Sequence, residues 1–495
     1  MNLLVTKINE QARTKPDSIA LYGDSQTINY QQLLTEIYAL SPQLTEQKIG
    51  LLMENHLAWA IIDLAMLFSE KCAVAIPSFF SHSQIKHSIK DAELELLISD
   101  NFQHIQSLNL TITKKIQLNL VGKTIYLCFL DRQLNQTTTN AFSGKITYTS
   151  GTTGTPKGVM LNYQSIIDKA KNLAECIRAT PNDRGLSLLP LSILLENIGG
   201  LYVPLLVGAS ATVLSPQKTG IIGSSQIDSQ RLLQTILAVQ PSAFIIIPQL
   251  LLVLLQAVKN GYILPSSLRF IAVGGAPVSQ QLLKLAAIHK LPIYEGYGLS
   301  EASSVVALNS PEQQRIGSVG KPLKNHQIKI ADDGEILIKN SLFQAYLGQE
   351  KMETNDYYPS GDLGRFDEEG FLYIDGRKKN LIITSYGRNI SPEWIEKELD
   401  ASPVIAQSVV YGDARPFLIG IIVLRNPDIN DTTLNQVINQ INNELPDYAR
   451  IKQFIIADKP FSIANQQLTG TGRPIRNTIY QDYHHAIKQS YEKTA

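Results

Sequence analysis

Cysteine is scarce in this 495-residue chain, and neither sign of charge is in excess. The three cysteines, Cys72, Cys128 and Cys176, stand far apart and form no CxxC pair. That spacing excludes a disulfide framework and fits a reducing compartment, with all three expected in the core. Lysine plus arginine number 44, as do aspartate plus glutamate. Such a balance gives no footing for nucleic acid or an anionic membrane surface as partner, so any anion must be held by local features. Long apolar runs are also missing. Leu186 to Gly208 is interrupted by Pro190, Glu196, Asn197 and Pro204, and Ala243 to Val258 is short and carries Pro248 and Gln249. Both fall short of the roughly 20 apolar residues of a spanning helix and read as buried elements of a large core. The opening MNLLVTKINEQARTK turns polar within a few residues. It lacks the apolar stretch of a secretory signal, and the expected location is cytoplasmic.

What the chain has is length and alternation. The length favours two or more domains with room for a sizeable core. Helical periods at Asn29 to Leu40 and Ala58 to Phe68 alternate with apolar runs at Ile49 to Met53 and Cys72 to Ile76. The alternation continues with a helix after Asn162, strands at Phe244 to Ile247 and Phe270 to Val273, and another at Pro292 to Tyr294, which predicts α/β layers. From Lys329 the texture changes. IKIADDGEILIK and FDEEGFLYIDG each read as a hairpin about a turn, giving a small β-rich appendix. After Arg377, Lys378 and Lys379 a new helix is signalled by Ser391 as N-cap, Pro392 at the first helical position and Glu393 beside it. The expected domains are residues 1–378 and 379–495.

The densest signal is YTSGTTGTPKGV, Tyr148 to Val159. Gly151, Gly154, Pro156 and Gly158 alternate with Thr149, Ser150, Thr152 and Thr153, and Lys157 adds charge. Glycines let backbone N–H groups approach an anion closely, hydroxyls supply adaptable donors, and a strand-like lead-in, Lys145 to Tyr148, fixes the base. The loop suits a nucleoside triphosphate. It is not GxxxxGK[ST], because Pro156 stands five positions after Gly151.

This string resembles the core signature of the adenylate-forming superfamily of acyl-CoA synthetases, luciferases and nonribosomal adenylation domains, and further signatures follow in that family's order along nearly the whole chain. VGGAPV, Val273 to Val278, is similar to the segment whose backbone, here Gly274, Gly275 and Ala276, lines the adenine. YEGYGLSE, Tyr294 to Glu301, looks like the motif after it. The resemblance makes Tyr297 the adenine-stacking ring, with Gly298 and Ser300 beside it, and Glu301 the Mg²⁺ ligand, assisted by Thr149. It makes Asp362 the ribose carboxylate supported by Arg377, and Lys379 the hinge of a small, mobile α+β C-terminal domain beside a large layered N-terminal domain. The implied chemistry is activation of a carboxylic acid with ATP to acyl-AMP, then transfer to the thiol of CoA or of a carrier-protein phosphopantetheine. LPLS, GRKKNLIIT and GRNISPEWIE resemble the long-chain acyl branch and point to a fatty or otherwise apolar acid.

Two departures bear on that reading. The fatty-acid branch commonly has histidine after LPLS, whereas this chain has Ile193, followed by Leu194 and Leu195. These side chains give an apolar acyl pocket with no donor for the carboxylate. In QLTGTGRPIR, Gln467 to Arg476, the position of the family's catalytic lysine is Arg473, and no lysine lies between Lys459 and Lys488. A guanidinium keeps the charge but is bulkier and prefers bidentate oxyanion contacts. Arg473 could therefore serve adenylation or bind another anion, such as a CoA phosphate. A displaced alignment, an acyl-AMP ligase acting on a carrier protein, and a nucleotide-binding pseudoenzyme stay open as alternatives.

Overall fold

Unbroken apolar strands are buried on both faces, and they pair in parallel. Lys48–Leu52 lies between Cys72–Ala75 and Leu96–Ser99, parallel to both, and Gly144–Thr149 adds in parallel beside Cys72–Ala75. A computed structural model describes residues 2–131, 142–149, 156–222, 226–340, 342–351, 356–469 and 472–492. Among them, this sheet has eight strands, its antiparallel edges made by Lys157–Asn162 with Ala345–Tyr346 on one side and Lys123–Leu130 with Ile112–Leu120 on the other. A second, nine-stranded sheet is parallel from Ile19–Tyr22 through Ser210–Val213, Arg184–Ser187, Ala243–Ile246 and Phe270–Val273 to Ile293–Leu299. Packed between these sheets is the helix Leu57–Phe68, buried from Leu57 to Leu67, with the large ring of Trp59 fully enclosed.

Helix starts follow their caps. Asn29 and Asn162 each accept a backbone N–H at the head of Tyr30–Leu40 and Tyr163–Cys176, as expected of an Asn at that position. Ser391 does stand at the head of Pro392–Asp400, but its hydroxyl donates to Glu393 at 2.9 Å and accepts no capping backbone N–H. Pro392 removes one of the N–H groups that a cap would otherwise satisfy. The two hairpins join in a four-stranded sheet, Gln327–Ile330, Glu335–Lys339, Tyr358–Phe366 and Leu372–Arg377. From Ile382 onward a three-stranded sheet, Ile405–Tyr411, Leu418–Leu424 and Ile451–Ile456, has helices over it and apolar clusters of its own.

Leu186 to Gly208 resolves into a strand end, a short helical turn at Leu194–Glu196, a π-helix at Asn197–Tyr202 and a further turn at Val203–Val207. No described helix is long and apolar enough to cross a membrane. Cys72 and Cys128 are buried, whereas Cys176, at the end of its helix, is only partly so, and all three are free thiols.

Candidate active site

The segment Tyr148 to Val159, expected to hold the nucleotide, begins and ends on a hairpin whose register places Thr149 opposite Lys157. Ser150, Gly151, Thr152, Thr153 and Gly154 lie outside the described residues; Thr149 and Lys157, at its base, do not. Thr149 Oγ1 lies 3.5 Å from the Lys157 carbonyl oxygen. Both this loop and Gly274–Ala276 leave the carboxyl ends of parallel strands, where ligands bind in such sheets. Gly275 has φ +80°, a left-handed conformation that side chains rarely adopt, and it is exposed with Ala276.

Strand register builds the next group. Asp362 and Arg377 face each other across the Tyr358–Phe366 and Leu372–Arg377 strands. Arg377 Nε meets Asp362 Oδ1 at 2.8 Å, and the Tyr297 hydroxyl donates to Oδ2 at 2.7 Å. Asp362 is 5% exposed and its own N–H donates to Ser360 Oγ. Burial pushes the carboxyl's pKa up, against the pull of Arg377 and Tyr297. Burial, then the charge of Asp362, raises the Tyr297 phenol well above its usual value, so it stays a donor. A carboxylate has about four lone-pair sites, so Asp362 retains acceptor capacity for hydroxyl groups.

Glu301 sits on the 3₁₀ turn Ser300–Ala302, after which Ser303 and Ser304 take φ of 54° and 83°. Gly298, just before it, passes so close to the Ser304 carbonyl that a Cβ would collide with it. Two tyrosines that the sequence did not single out complete this corner. Tyr346 donates to Glu301 Oε1 at 2.8 Å and lies 3.0 Å from the Tyr358 hydroxyl. The short Ala345–Tyr346 strand pairs with Val159 and Met160, which brings Lys157 Nζ within 5.4 Å of the Tyr346 ring centroid. Tyr346 thus links the loop lysine to Glu301. Its position in a two-residue strand leaves no periodic signal; Tyr358 stands four residues before Asp362.

Arg473 comes from the far end of the chain. A tight turn holds it, with Thr469 N–H donating to the Arg473 carbonyl at 2.7 Å and Arg473 N–H to Thr469 Oγ1 at 3.0 Å. Its guanidinium donates to the Gly275 carbonyl at 2.9 Å. Desolvation and the like charge of Arg377 push its pKa down, while Asp362 and Glu301 pull it up. Lys379, in the 3₁₀ turn Lys378–Asn380, is lowered by desolvation and then by Arg377 and Arg473. A second contact joins the same parts: Ser279 Oγ donates to Glu398 at 2.7 Å. The contacts among described residues do not join Ile193, Leu194 or Leu195 to this charged group. Ile193 and Leu195 are partly open and Leu194 is buried.

Two matches then cover most of the chain. Residues 8–341 match the AMP-binding enzyme family, and residues 379–495 match the AMP-binding enzyme C-terminal domain. The chain belongs to the AMP-binding enzyme family. A long-chain-fatty-acid–CoA ligase of Mycobacterium bovis is 27% identical over 88% of this chain and 86% of its own length. A 2-succinylbenzoate–CoA ligase of Bacillus cereus is 28% identical, over 83% and 86%. Among solved structures, an anthranilate CoA ligase with anthranoyl-AMP superposes with TM-score 0.81 at 18% identity, covering 97% of both chains. The o-succinylbenzoate CoA synthetase of Bacillus subtilis with its acyl-adenylate gives TM-score 0.75 at 24% identity, again covering 97% of each. These likenesses bear out the layered α/β fold of an AMP-binding enzyme that the motifs led us to expect.

Proposed function

We propose that this AMP-binding enzyme activates an apolar, fatty or similar carboxylic acid with ATP and passes the acyl group to the thiol of CoA. The chain is an enzyme of the AMP-forming acid–CoA ligase type. The observation that carries the reading is the convergence of Tyr297, Asp362 and Arg377 with Arg473, which reaches Gly275 from a segment some 200 residues away in sequence. In the first step a substrate carboxylate oxygen bonds to the α-phosphorus, the bond to the bridging oxygen breaks and pyrophosphate leaves. In the second a thiolate attacks the acyl carbon, and AMP leaves with the bonding electron pair.

The residues have matching roles. Asp362, oriented by Arg377, takes the ribose hydroxyls, and Gly274–Ala276 with Tyr297 frames the base. Lys157 and Arg473 neutralise phosphate charge as it redistributes, which is the larger part of catalysis where little covalent chemistry falls to the protein. Among described residues no cluster of three or more His, Cys, Asp or Glu side chains could hold a metal. Glu301, held by Tyr346, offers one carboxylate, and that fits Mg²⁺, which takes one or two carboxylates plus substrate phosphates. Mg²⁺ there would supply charge neutralisation. Ile193 and Leu195 favour an apolar acyl group, and Lys379 is the hinge between residues 1–378 and 379–495. The three free thiols support a reducing, cytoplasmic setting.

Product mass tests the reading: a graded panel of aliphatic and aryl acids is incubated with ATP and Mg²⁺, plus CoA or a holo carrier protein. Acyl-CoA from aliphatic acids is the expected product. Acyl carrier protein alone would move the assignment to a carrier-loading ligase, and no AMP from any acid would end it.

A further inference from the structure

Four polar side chains meet deep in the core, apart from the charged group around Asp362. Asp63 comes from the Leu57–Phe68 helix, Lys145 from the Gly144–Thr149 strand, and Asn197 and Tyr202 from the two ends of the π-helix. They are 1%, 3%, 2% and 0% exposed. Lys145 pairs with Asp63 Oδ1 and donates to Asn197 Oδ1 at 2.6 Å. Asn197 Nδ2 closes the ring on Asp63 Oδ2 at 3.1 Å, and the Tyr202 hydroxyl adds a bond to the same oxygen at 2.7 Å. The Lys145 ammonium also lies 5.0 Å from the Tyr202 ring centroid.

Desolvating an ion pair this completely is costly, and apolar residues of similar volume often stabilise a core as well or better. Stability alone therefore does not account for the network, whereas its attachments do. Lys145 lies four residues before Thr149, at the base of the nucleotide loop. Asn197 lies four residues after Ile193 and opens the π-helix, a distortion found often at functional sites. One closed ring of hydrogen bonds thus ties the strand that carries the loop to the segment expected to hold the acyl group. Its third anchor, Asp63, sits on the helix that fills the space between the two sheets.

We propose that Asp63, Lys145, Asn197 and Tyr202 form a positioning network that sets the distance and angle between the acyl segment and the nucleotide loop during adenylation. This rests on the ligase reading given above. None of the four touches a reactant. Each substrate binds to its own segment without them, but the approach of carboxylate to phosphorus depends on how the two segments are held, and a displacement of about 1 Å costs on the order of 100-fold in rate. The consequence is a loss in kcat with little change in either KM, the mark of an interaction expressed only in the transition state.

The test replaces the whole network by apolar residues, Asp63→Leu with Lys145→Met, Asn197→Leu and Tyr202→Phe, so that no buried polar group is stranded. Melting temperature and acid-dependent ATP–pyrophosphate exchange are measured, with KM for acid and for ATP determined separately. The expected result is an unchanged or higher melting temperature, kcat lower by at least about tenfold, and both KM values within about twofold. A kcat within twofold of wild type in a folded variant would refute the network's role. Should the fourfold variant fail to melt cooperatively, Tyr202→Phe alone carries the test. It is expected to lower kcat about threefold at constant KM, and an unchanged kcat counts against the proposal. Wild-type enzyme without exchange on any acid would overturn the ligase reading and this inference together.

Discussion

Asp362 has a donor on each carboxylate oxygen before any nucleotide arrives, so its position is set by Arg377 and Tyr297 rather than by the ligand. In the proposed ribose-binding role, preorganisation of this kind makes its contribution to ATP binding large. Asp362→Ala is expected to raise KM for ATP by roughly 10- to 100-fold, the range for a hydrogen-bonded charged group, and an unchanged KM in steady-state kinetics would remove it from the nucleotide site. Tyr346 acts one step further out. Its hydroxyl fixes Glu301, so Tyr346→Phe should raise the Mg²⁺ concentration for half-maximal activity by about fivefold, the worth of one ordinary hydrogen bond. A Mg²⁺ titration identical to wild type would show that Glu301 needs no such support. The resemblance in motif order picked out Asp362, Arg377 and Glu301, and the structure pairs the first two, which no local rule in the sequence shows. Tyr346 and Tyr358 were not legible: a tyrosine on a short strand looks the same whether it faces solvent or a carboxylate.

Elements were legible where local rules act alone. The helical periods from Asn29 and after Asn162 announced their helices, and Asp-Gly announced the Gln327–Lys339 hairpin, since apolar periodicity and tight turns are decided within a few residues. The π-helix at Asn197–Tyr202 was not, because its widened turn depends on packing from elsewhere. Glu196, immediately before it, is fully buried, and its Oε1 has no hydrogen-bond partner among the described residues. Burial pushes its pKa up to about 8, from 4.5. The folded state therefore keeps a proton that the unfolded chain releases near 4.5. The stability this confers is full below 4.5 and is lost as pH rises through 8. Glu196→Gln removes the titration. Relative to the variant, wild type should lose stability between about pH 5 and 8, by on the order of a few kcal/mol, in denaturant melts at stepped pH. Parallel curves for the two proteins would mean that Glu196 ionises freely in the fold.

At the scale of the whole molecule, Arg473 and Glu398 bring the C-terminal residues onto Gly275 and Ser279, the two ends of one segment beside the nucleotide site. On the proposed reading these contacts hold Arg473 in place for adenylation, so Glu398→Ala should slow pyrophosphate exchange several-fold while leaving thioester formation from supplied acyl-AMP intact. Lys379→Pro, at the proposed hinge, is expected to do the reverse and impair the thiol step more than adenylation. Equal losses in both half-reactions for either variant would count against the proposed hinge. Arg473, the arginine at the position where the motif resemblance leads one to expect lysine, is the sharpest point of the proposal, because on that reading its charge serves the reaction from the C-terminal side. The most direct measurement is Mg²⁺-dependent ATP–pyrophosphate exchange over a graded series of aliphatic acids, for wild type and Arg473→Ala. The expected result is exchange that wild type shows with apolar acids and that falls by roughly 100-fold or more in the variant, as for loss of a transition-state charge contact. Exchange absent from wild type with every acid, or undiminished in Arg473→Ala, would contradict it.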